Sequence, residues 1–307
     1  MARVFVTRRL PGSALDRLTS EHDVEVWPEQ LPSGGEELRS RAPELEGLLS
    51  LLTDPIDADL IDAAPNLRAI SNYAVGVDNV DLDAASERGI PVGNTPDVLT
   101  ETTADLALTL ILAVGRRIVE GEAYVRRGEW QTWEPGLLLG RDLHGATVGV
   151  VGFGRIGQAV ARRLEGFGCE ILDADITGGT PMEELLERSD FVTLHCPLTP
   201  ETRGLIDDDA LAAMKPTAYL VNTSRGPVVD TDALVRALHA EEIAGAALDV
   251  TDPEPPPPGH PLLEAPRLLL VPHIASATHA TREKMADMAV DNMLAGLAGE
   301  PMPTQAN

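Results

Sequence analysis

Three side chains that could bind an anion and move a proton stand just after apolar runs in the second half of the chain. They are Arg225, Glu254 and His273. Parallel sheets place their ligands at the carboxyl ends of the strands, so we expect these residues to lie at one sheet edge. A guanidinium there can bind a carboxylate, and a carboxylate beside an imidazole can assist proton transfer. Each residue alone has an ordinary structural explanation, but together, beside the glycine-rich turn described next, they predict catalysis.

A glycine-rich turn follows the apolar run that ends at Val151. Its glycines, Gly152, Gly154 and Gly157, have the spacing Gly-x-Gly-x-x-Gly, and a helix-like segment follows. The first glycine permits a tight turn, the second lets a pyrophosphate approach the backbone, and the third lets the helix pack closely on the strand. The helix N-terminus adds amide donors and partial positive charge. The turn therefore predicts a dinucleotide site rather than a merely structural bend.

An acidic residue, Asp175, lies 18 residues beyond Gly157 at the end of another apolar run. A carboxylate at this place accepts hydrogen bonds from ribose hydroxyls and repels a 2′-phosphate. NAD is therefore favoured as the cofactor, with NADP possible. Asp173 could take the same role, or Asp175 could instead cap the following turn.

The elements that must position these residues read as alternating strands and helices, which predicts an α/β fold with parallel sheets. Thr100 is the predicted cap of a long helix that runs to Ile118, and a final helix is expected over 280–298. Strands are expected at 4–6, 24–27, 48–51, 68–73, 91–92, 147–151, 170–174, 191–195, 218–221, 246–250 and 268–271.

Composition excludes several classes of protein. The 307 residues include 49 acidic against 24 basic residues, a formal net charge of −25. A surface this negative repels nucleic acid and anionic lipid headgroups, so neither is expected as a partner. The longest apolar stretch, 106–114, is shorter than a membrane span, and the N-terminus has no apolar region typical of a signal peptide. With only two cysteines, Cys169 and Cys196, a cytoplasmic location is expected.

With these residues in place, the chain resembles the D-2-hydroxyacid dehydrogenase family over nearly its whole length, specifically the glyoxylate/hydroxypyruvate reductase branch. Several motifs in the same order make this resemblance far more specific than any one of them. They are NYAVGVDNVD at 72–81, NTPDVLTETTAD at 94–105, VGFGRIGQ at 151–158, DFVTLHCPLT at 190–199, NTSRG at 222–226, LDVTDPEP at 248–255 and PHIASAT at 272–278.

The resemblance implies two doubly wound parallel-sheet domains, with a Rossmann NAD-binding domain inserted in a flavodoxin-like substrate domain. Residues 1–98, completed by 280–307, would form the substrate domain, and 99–279 the dinucleotide-binding domain. Family members are typically homodimers joined through the nucleotide domain, so a homodimer is expected.

The resemblance also implies a reaction. A small 2-oxo acid, glyoxylate or hydroxypyruvate, would be reduced to the D-2-hydroxy acid by hydride transfer from the nicotinamide cofactor. Arg225, Glu254 and His273 would be the catalytic residues: the arginine binds the substrate carboxylate, and the histidine, assisted by the glutamate, supplies the proton.

Binding residues carry over from the family in the same way, and none of them suggests a metal. The backbone amides of Val75 and Gly76 would bind the substrate carboxylate together with Arg225, with Ser276 nearby. Ala275 stands where a glycine is common, close to the expected nicotinamide. The cofactor contacts implied are Thr103, Gly152, Phe153, Gly154, Arg155, Ile156, Gly157, Asp175, Cys196, Pro197, Thr223, Asp249 and Ala275.

Two other functions stay open at this point. A short-type D-3-phosphoglycerate dehydrogenase would share these motifs but would need further cations for the phosphate, for which Arg8 and Arg9 are candidates. A non-catalytic NAD-sensing protein of the same fold would bind the cofactor without turnover. The complete set of arginine, glutamate and histidine disfavours the sensor.

Overall fold

Two units of parallel sheet and surrounding helices make up the computed structural model, which describes residues 1–307. The first unit comprises Met1–Leu99 and Ser276–Asn307, and the second comprises Thr100–Ala275. The sequence placed these divisions after residues 98 and 279. The predicted α/β class with two parallel sheets is confirmed.

The regular elements number twelve strands and eleven helices. The strands are β1 Arg3–Val6, β2 Asp23–Val26, β3 Gly47–Ser50, β4 Ala69–Asn72, β5 Val92–Gly93, β6 Thr147–Val151, β7 Glu170–Asp175, β8 Gly178–Gly179, β9 Phe191–Leu194, β10 Tyr219–Asn222, β11 Gly245–Leu248 and β12 Leu268–Leu270. The helices are α1 Ala14–Glu21, α2 Gly35–Arg41, α3 Ala58–Asp62, α4 Leu82–Glu87, α5 Thr100–Gly115, α6 Ile118–Arg126, α7 Arg155–Glu165, α8 Met182–Arg188, α9 Asp208–Ala213, α10 Thr231–Ala240 and α11 His279–Ala298. None of the helices is both long enough and apolar enough to cross a membrane.

The first unit is a five-stranded sheet in the order β2-β1-β3-β4-β5, in which every pair is parallel. The inner strands β1 and β3 are mostly apolar and buried because helices cover both faces of the sheet. Val4 and Val6 pack with α1 and α11 on one face, whereas Phe5 packs with α2, α3 and α4 on the other. This alternation follows from the two-residue period of a strand.

The C-terminal segment adds an edge pairing that the sequence analysis did not predict. Gln305 forms an antiparallel bridge with Gly93 of β5. On either side of it, Ala306 N donates to Val92 O at 2.8 Å and Val92 N donates to the Asn307 side-chain oxygen at 2.8 Å. The residues that follow α11 are therefore fixed against the strand from which the chain continues at Asn94.

The second unit is a seven-stranded sheet in the order β12-β11-β10-β9-β6-β7-β8, parallel except for the short antiparallel pair of β7 and β8. Buried side chains alternate between the two faces, with Val150 packing against α5 and α7, and Val151 against α8 and α10. The strand order reverses next to β6. Ligands of open parallel sheets bind at the carboxyl edge at such a reversal.

The prediction of one long helix over 100–118 is wrong in the bounds of the helix. Thr100 is the first helical residue rather than the cap, and α5 ends at Gly115. Arg117 then takes a left-handed backbone conformation (φ 52°), and α6 begins. A side chain at position 115 would come within 2.9 Å of the Phe191 ring, so close packing explains the glycine at which α5 ends.

Candidate active site

The turn between β6 and α7 has the geometry that its three glycines predict. Gly152 has φ +88°, and a Cβ there would lie 2.4 Å from the backbone N of Cys196. A Cβ at Gly157 would lie 2.2 Å from the Gly152 carbonyl oxygen, whereas at Gly154 nothing lies within 4 Å. The first and third glycines are thus required for packing, and the second leaves the backbone open to a ligand. Arg155 and Ile156 form the first turn of α7.

Asp175 ends β7 and contacts this turn directly. Its carboxylate accepts hydrogen bonds from Phe153 N at 2.9 Å, from Thr177 N at 3.2 Å and from Thr177 Oγ1 at 3.1 Å. The Phe153 and Thr177 bonds lower the pKa of Asp175 below its ordinary value, so the group is ionised at neutral pH. Asp173, the alternative, instead lies beside Gly179 of β8, whose Cβ would come within 2.8 Å of its carboxylate.

Glu254 and His273 form the central pair of the candidate catalytic set. Nδ1 of His273 lies 2.6 Å from Oε1 of Glu254, and Oε2 of Glu254 accepts from Thr251 N at 3.3 Å. Burial raises the pKa of Glu254, but the His273 hydrogen bond and charge, with a smaller contribution from Arg225, bring it below the ordinary value. Glu254 is therefore ionised beside the imidazole.

The backbone at His273 is held in an unusual conformation. His273 has φ +52°, in the left-handed region that residues other than glycine seldom adopt. Its N–H donates to the Asp249 carbonyl oxygen at 2.9 Å, and the Asp249 carboxylate accepts from Ile274 N at 2.6 Å and Ala275 N at 2.9 Å. Strained residues of this kind persist where the surroundings fix them and are frequent at functional sites.

Asp249 thus has a positioning task that the sequence analysis missed. The residue is 1% exposed, and both of its carboxylate oxygens are bound by the backbone that follows His273. Burial raises its pKa, while the bonds from Ile274 and Ala275 oppose that shift. The contact of Asp249 with a nicotinamide stays a prediction.

Arg225 follows β10, as predicted, and its turn abuts the turn that carries Glu254. The Arg225 carbonyl accepts from Asn222 Nδ2 at 2.8 Å, and Nη1 of Arg225 donates to the Ser224 carbonyl at 2.9 Å. A Cβ at Gly226 would lie 1.9 Å from the Thr251 carbonyl oxygen, so only glycine permits this approach. The structure therefore brings the arginine, glutamate and histidine to the carboxyl edge of β10, β11 and β12.

The predicted substrate-binding amides lie in the first unit, in the loop of residues 74–78 that follows β4. Val75 and Gly76 are partly exposed, and their N–H groups make no hydrogen bond within the structure. Two adjacent donors left open on a loop suit an anion such as a carboxylate. Ser276, buried at the start of the C-terminal part of this unit, accepts from Thr278 N at 2.8 Å through its carbonyl.

Comparison with known proteins decides the family. The family described as D-isomer specific 2-hydroxyacid dehydrogenase, NAD binding domain, matches residues 108–275. A glyoxylate reductase from Korarchaeum cryptofilum is 49% identical over 317 residues, which cover 99% of this chain and 96% of that protein. The chain belongs to the D-isomer specific 2-hydroxyacid dehydrogenase family. The predicted resemblance is confirmed, and the chain is an NAD(P)-dependent oxidoreductase.

Two solved structures are similar to this chain over 99% of its length. The TT0316 protein from Thermus thermophilus is 52% identical with a TM-score of 0.92, covering 99% of this chain and all of that one. An NADPH-dependent glyoxylate/hydroxypyruvate reductase from Sinorhizobium meliloti, solved with NADP and malonate, is 34% identical with a TM-score of 0.84. The match covers 99% of this chain and 96% of that one.

The residues present in this dehydrogenase fit a dinucleotide. Gly154 leaves its backbone open, Asp175 is ionised beside the turn, and Thr103 of α5 buries a hydroxyl oxygen that has no hydrogen-bond partner. Buried polar atoms are nearly always paired, so this hydroxyl has a hydrogen-bonding capacity that a bound ligand could use. Cys196 and Pro197 follow β9, Thr223 follows β10, and Ala275 is buried at the end of the second unit. Of these, Cys196 and Thr223 are buried too.

One histidine near these residues escaped the sequence analysis. Nε2 of His195 lies 2.9 Å from Thr193 Oγ1 and Nδ1 lies 3.3 Å from Thr223 Oγ1. Burial lowers the pKa of His195 to about 3, so the ring is neutral at physiological pH. A neutral imidazole between two hydroxyls orients Thr223, one of the predicted cofactor contacts. The only sequence indication was its position directly after a buried strand.

Proposed function

We propose that this dehydrogenase reduces glyoxylate or hydroxypyruvate to the D-2-hydroxy acid, using a reduced nicotinamide dinucleotide. The observation that carries the proposal is the 2.6 Å contact between His273 and an ionised Glu254, beside Arg225 at the carboxyl edge of the sheet. The relative from Korarchaeum cryptofilum, 49% identical, is named a glyoxylate reductase. Both observations support a catalytic role over cofactor sensing alone.

Proton transfer is assigned to His273. Because Nδ1 contacts Glu254, the other ring nitrogen, Nε2, is left to donate its proton to the substrate oxygen. When bound, the dihydronicotinamide supplies the hydride that the carbonyl carbon of the substrate accepts. The Glu254 carboxylate holds the ring in one orientation through Nδ1, as carboxylate partners of catalytic histidines do.

Substrate binding is assigned to Arg225 and to the 74–78 loop. The planar guanidinium suits a bidentate contact with a carboxylate, and its positive charge polarises the neighbouring ketone oxygen. The open N–H groups of Val75 and Gly76 supply further donors to the carboxylate. Ser276, predicted to lie near the substrate, completes this proposed set.

We infer a preference for NAD over NADP from Asp175. Its carboxylate is ionised next to the phosphate-binding turn, where a second negative charge on a ribose 2′-phosphate would be repelled. The Sinorhizobium meliloti relative is described as NADPH-dependent, so the cofactor differs among members of the family. Kinetics with both cofactors, on the wild-type chain and on an Asp175 variant, therefore test the preference of this chain.

A homodimer formed through the second unit is part of the proposal. No residue of α6 is buried, and six large apolar side chains from this helix to residue 139 are 51–79% exposed. They are Ile118, Val119, Val125, Trp130, Trp133 and Leu139. Exposed apolar side chains concentrated in one stretch of the chain favour an interaction site there. Light scattering should give twice the mass of one chain. Trp133→Glu should lower the measured mass. Ile176→Glu, which changes a side chain that is 98% exposed elsewhere in the unit, is the control and should leave the mass unchanged.

We also infer a cytoplasmic location. Both cysteines are free thiols, and Cys196 is buried. This is the arrangement expected of a protein in a reducing compartment.

Initial rates of absorbance loss at 340 nm test the reaction. Glyoxylate, hydroxypyruvate, pyruvate and 3-phosphohydroxypyruvate are each assayed with NADH and with NADPH. The proposal requires glyoxylate or hydroxypyruvate to have the highest kcat/KM. Highest activity on 3-phosphohydroxypyruvate would instead indicate a phosphoglycerate dehydrogenase. Cofactor binding without reduction of any substrate would indicate a sensor.

A further inference from the structure

The conformation of the 74–78 loop is fixed by a second segment, residues 94 and 95. Thr95 N donates to the Ala74 carbonyl at 2.8 Å, and Asn94 Nδ2 donates to the Val75 carbonyl at 2.8 Å. The peptide unit is planar, so holding a carbonyl oxygen also fixes the N–H on the other side of the same plane. The two bonds therefore set the directions of the N–H groups of Val75 and Gly76.

Asn94 is in turn held by the C-terminal part of the chain. Its carbonyl oxygen accepts from Asn292 Nδ2 at 2.9 Å and from Thr304 Oγ1 at 2.7 Å. Its N–H donates to the Thr304 carbonyl at 3.1 Å. All the groups in this series lie in the first unit, and they link α11 and the C-terminal segment to the backbone next to the loop.

Both the nitrogen and the oxygen of the buried Asn292 side chain are hydrogen-bonded. Asn292 is 0% exposed in α11, a place where an apolar side chain would ordinarily pack. Its oxygen accepts from Thr304 N at 3.0 Å while its nitrogen donates to Asn94. A Cβ at Gly93 would lie 2.7 Å from this side chain, so position 93 requires glycine for the amide to fit. The buried amide therefore joins Asn94 to Thr304.

We propose that Asn94 is a positioning residue for substrate binding, and that Asn292 and Thr304 act through it. The inference rests on the proposed function, because it takes the Val75 and Gly76 amides to bind the substrate carboxylate. Asn94 orients the Gly76 N–H before substrate arrives, which lowers the entropy lost on binding. The C-terminal segment thereby contributes to affinity for the 2-oxo acid through its bonds to Asn94.

Steady-state kinetics on three variants test this role. Asn94→Ala removes the donor to Val75, and the loss of one neutral hydrogen bond should raise KM for glyoxylate roughly 3- to 10-fold. Thr304→Val removes the hydroxyl that binds the Asn94 carbonyl and should raise KM about 2- to 5-fold. Gln305→Ala, at an exposed neighbour whose side chain donates to the Asn307 carbonyl instead, is the matched control and should leave KM unchanged.

The division between KM and kcat separates positioning from general damage. We expect kcat and the Kd for NADH to stay within about twofold of wild type in each variant, and the inhibition constant of oxalate to rise by the same factor as KM. In the double variant Asn94→Ala/Thr304→Val, KM should rise by less than the product of the two single-variant factors, because both changes act on the same loop. Thermal unfolding identifies any variant that is not folded, and the milder Thr304→Val then carries the test.

Unchanged KM in both single variants of an active enzyme would overturn the inference and leave the proposed function standing. Additive effects in the double variant would overturn it too. If the wild-type enzyme reduces no 2-oxo acid, the proposed function fails instead, and the two failures are distinguishable.

Discussion

Replacing Glu254 by glutamine removes one charge from the pair that is proposed to transfer the proton. The carboxylate lies 2.6 Å from Nδ1 of His273, and the glutamine keeps nearly the same shape and an oxygen that can accept. Hydrogen bonds to charged groups contribute about 1.5–3 kcal/mol and neutral ones about 0.5–1.5 kcal/mol. The side chains of His273 and Glu254 are 25% and 33% exposed, so solvent screening places the loss near the lower limit.

A loss of about 1–1.5 kcal/mol corresponds to roughly a 5- to 13-fold decrease in kcat. We expect KM for glyoxylate and the Kd for NADH to change by less than about twofold, because Glu254 is not assigned to bind either ligand. Initial rates at 340 nm with saturating NADH measure kcat, and fluorescence titration measures the Kd. Glu264→Gln, which removes one exposed charge from the same unit, is the control. A Glu254→Gln enzyme with wild-type kcat would refute the assignment of Glu254 as the partner of the proton donor.

Three further predictions concern cofactor binding and pH. Asp175→Asn removes the charge beside the phosphate-binding turn, so the ratio of kcat/KM for NADPH to that for NADH should rise about tenfold or more. An unchanged ratio would exclude Asp175 as the group that discriminates between NAD and NADP. Thr103→Val removes a buried hydroxyl that has no hydrogen-bond partner, so the free enzyme should be equally or more stable in urea. The same change should weaken NADH binding about 2- to 10-fold. Unaltered NADH affinity would show that this hydroxyl does not contact the cofactor. The pKa of His195 falls from its ordinary 6.5 to about 3 on folding, so the unfolded chain binds the extra proton and stability decreases as pH falls below about 6.5. Between pH 7 and pH 5 this contribution is about 2 kcal/mol. His195→Gln should reduce the pH dependence of the unfolding free energy by that amount, and an undiminished dependence would contradict a neutral His195 ring.

The parts of the fold that could be predicted are those written in short stretches of sequence. Parallel strands buried on both faces are continuous apolar runs, so β6 was predicted with its observed bounds, Thr147–Val151. The glycine turn and Asp175 could be placed because their spacing follows from the geometry of a strand, a turn and a helix. Arg225, Glu254 and His273 were found because each follows a strand, and a parallel sheet brings strand ends together.

The features that were missed depend on tertiary contacts. The close approach of Gly115, the last residue of α5, to the Phe191 ring depends on a contact that nothing in the local sequence indicates. The pairing of the C-terminal segment with β5 and the bonds from Thr304 to Asn94 join residues more than 200 positions apart. The two carboxylate bonds of Asp249 arise only when β11 and the backbone after His273 come together.

Steady-state reduction of glyoxylate by the wild-type enzyme and by His273→Asn tests the central claim most directly. General acid catalysis contributes roughly 10²- to 10⁴-fold, so kcat with NADH should fall by about that factor. The Kd for NADH should be retained, because His273 is assigned to the substrate oxygen rather than to the dinucleotide. A His273→Asn enzyme that reduces glyoxylate at the wild-type rate would contradict the account.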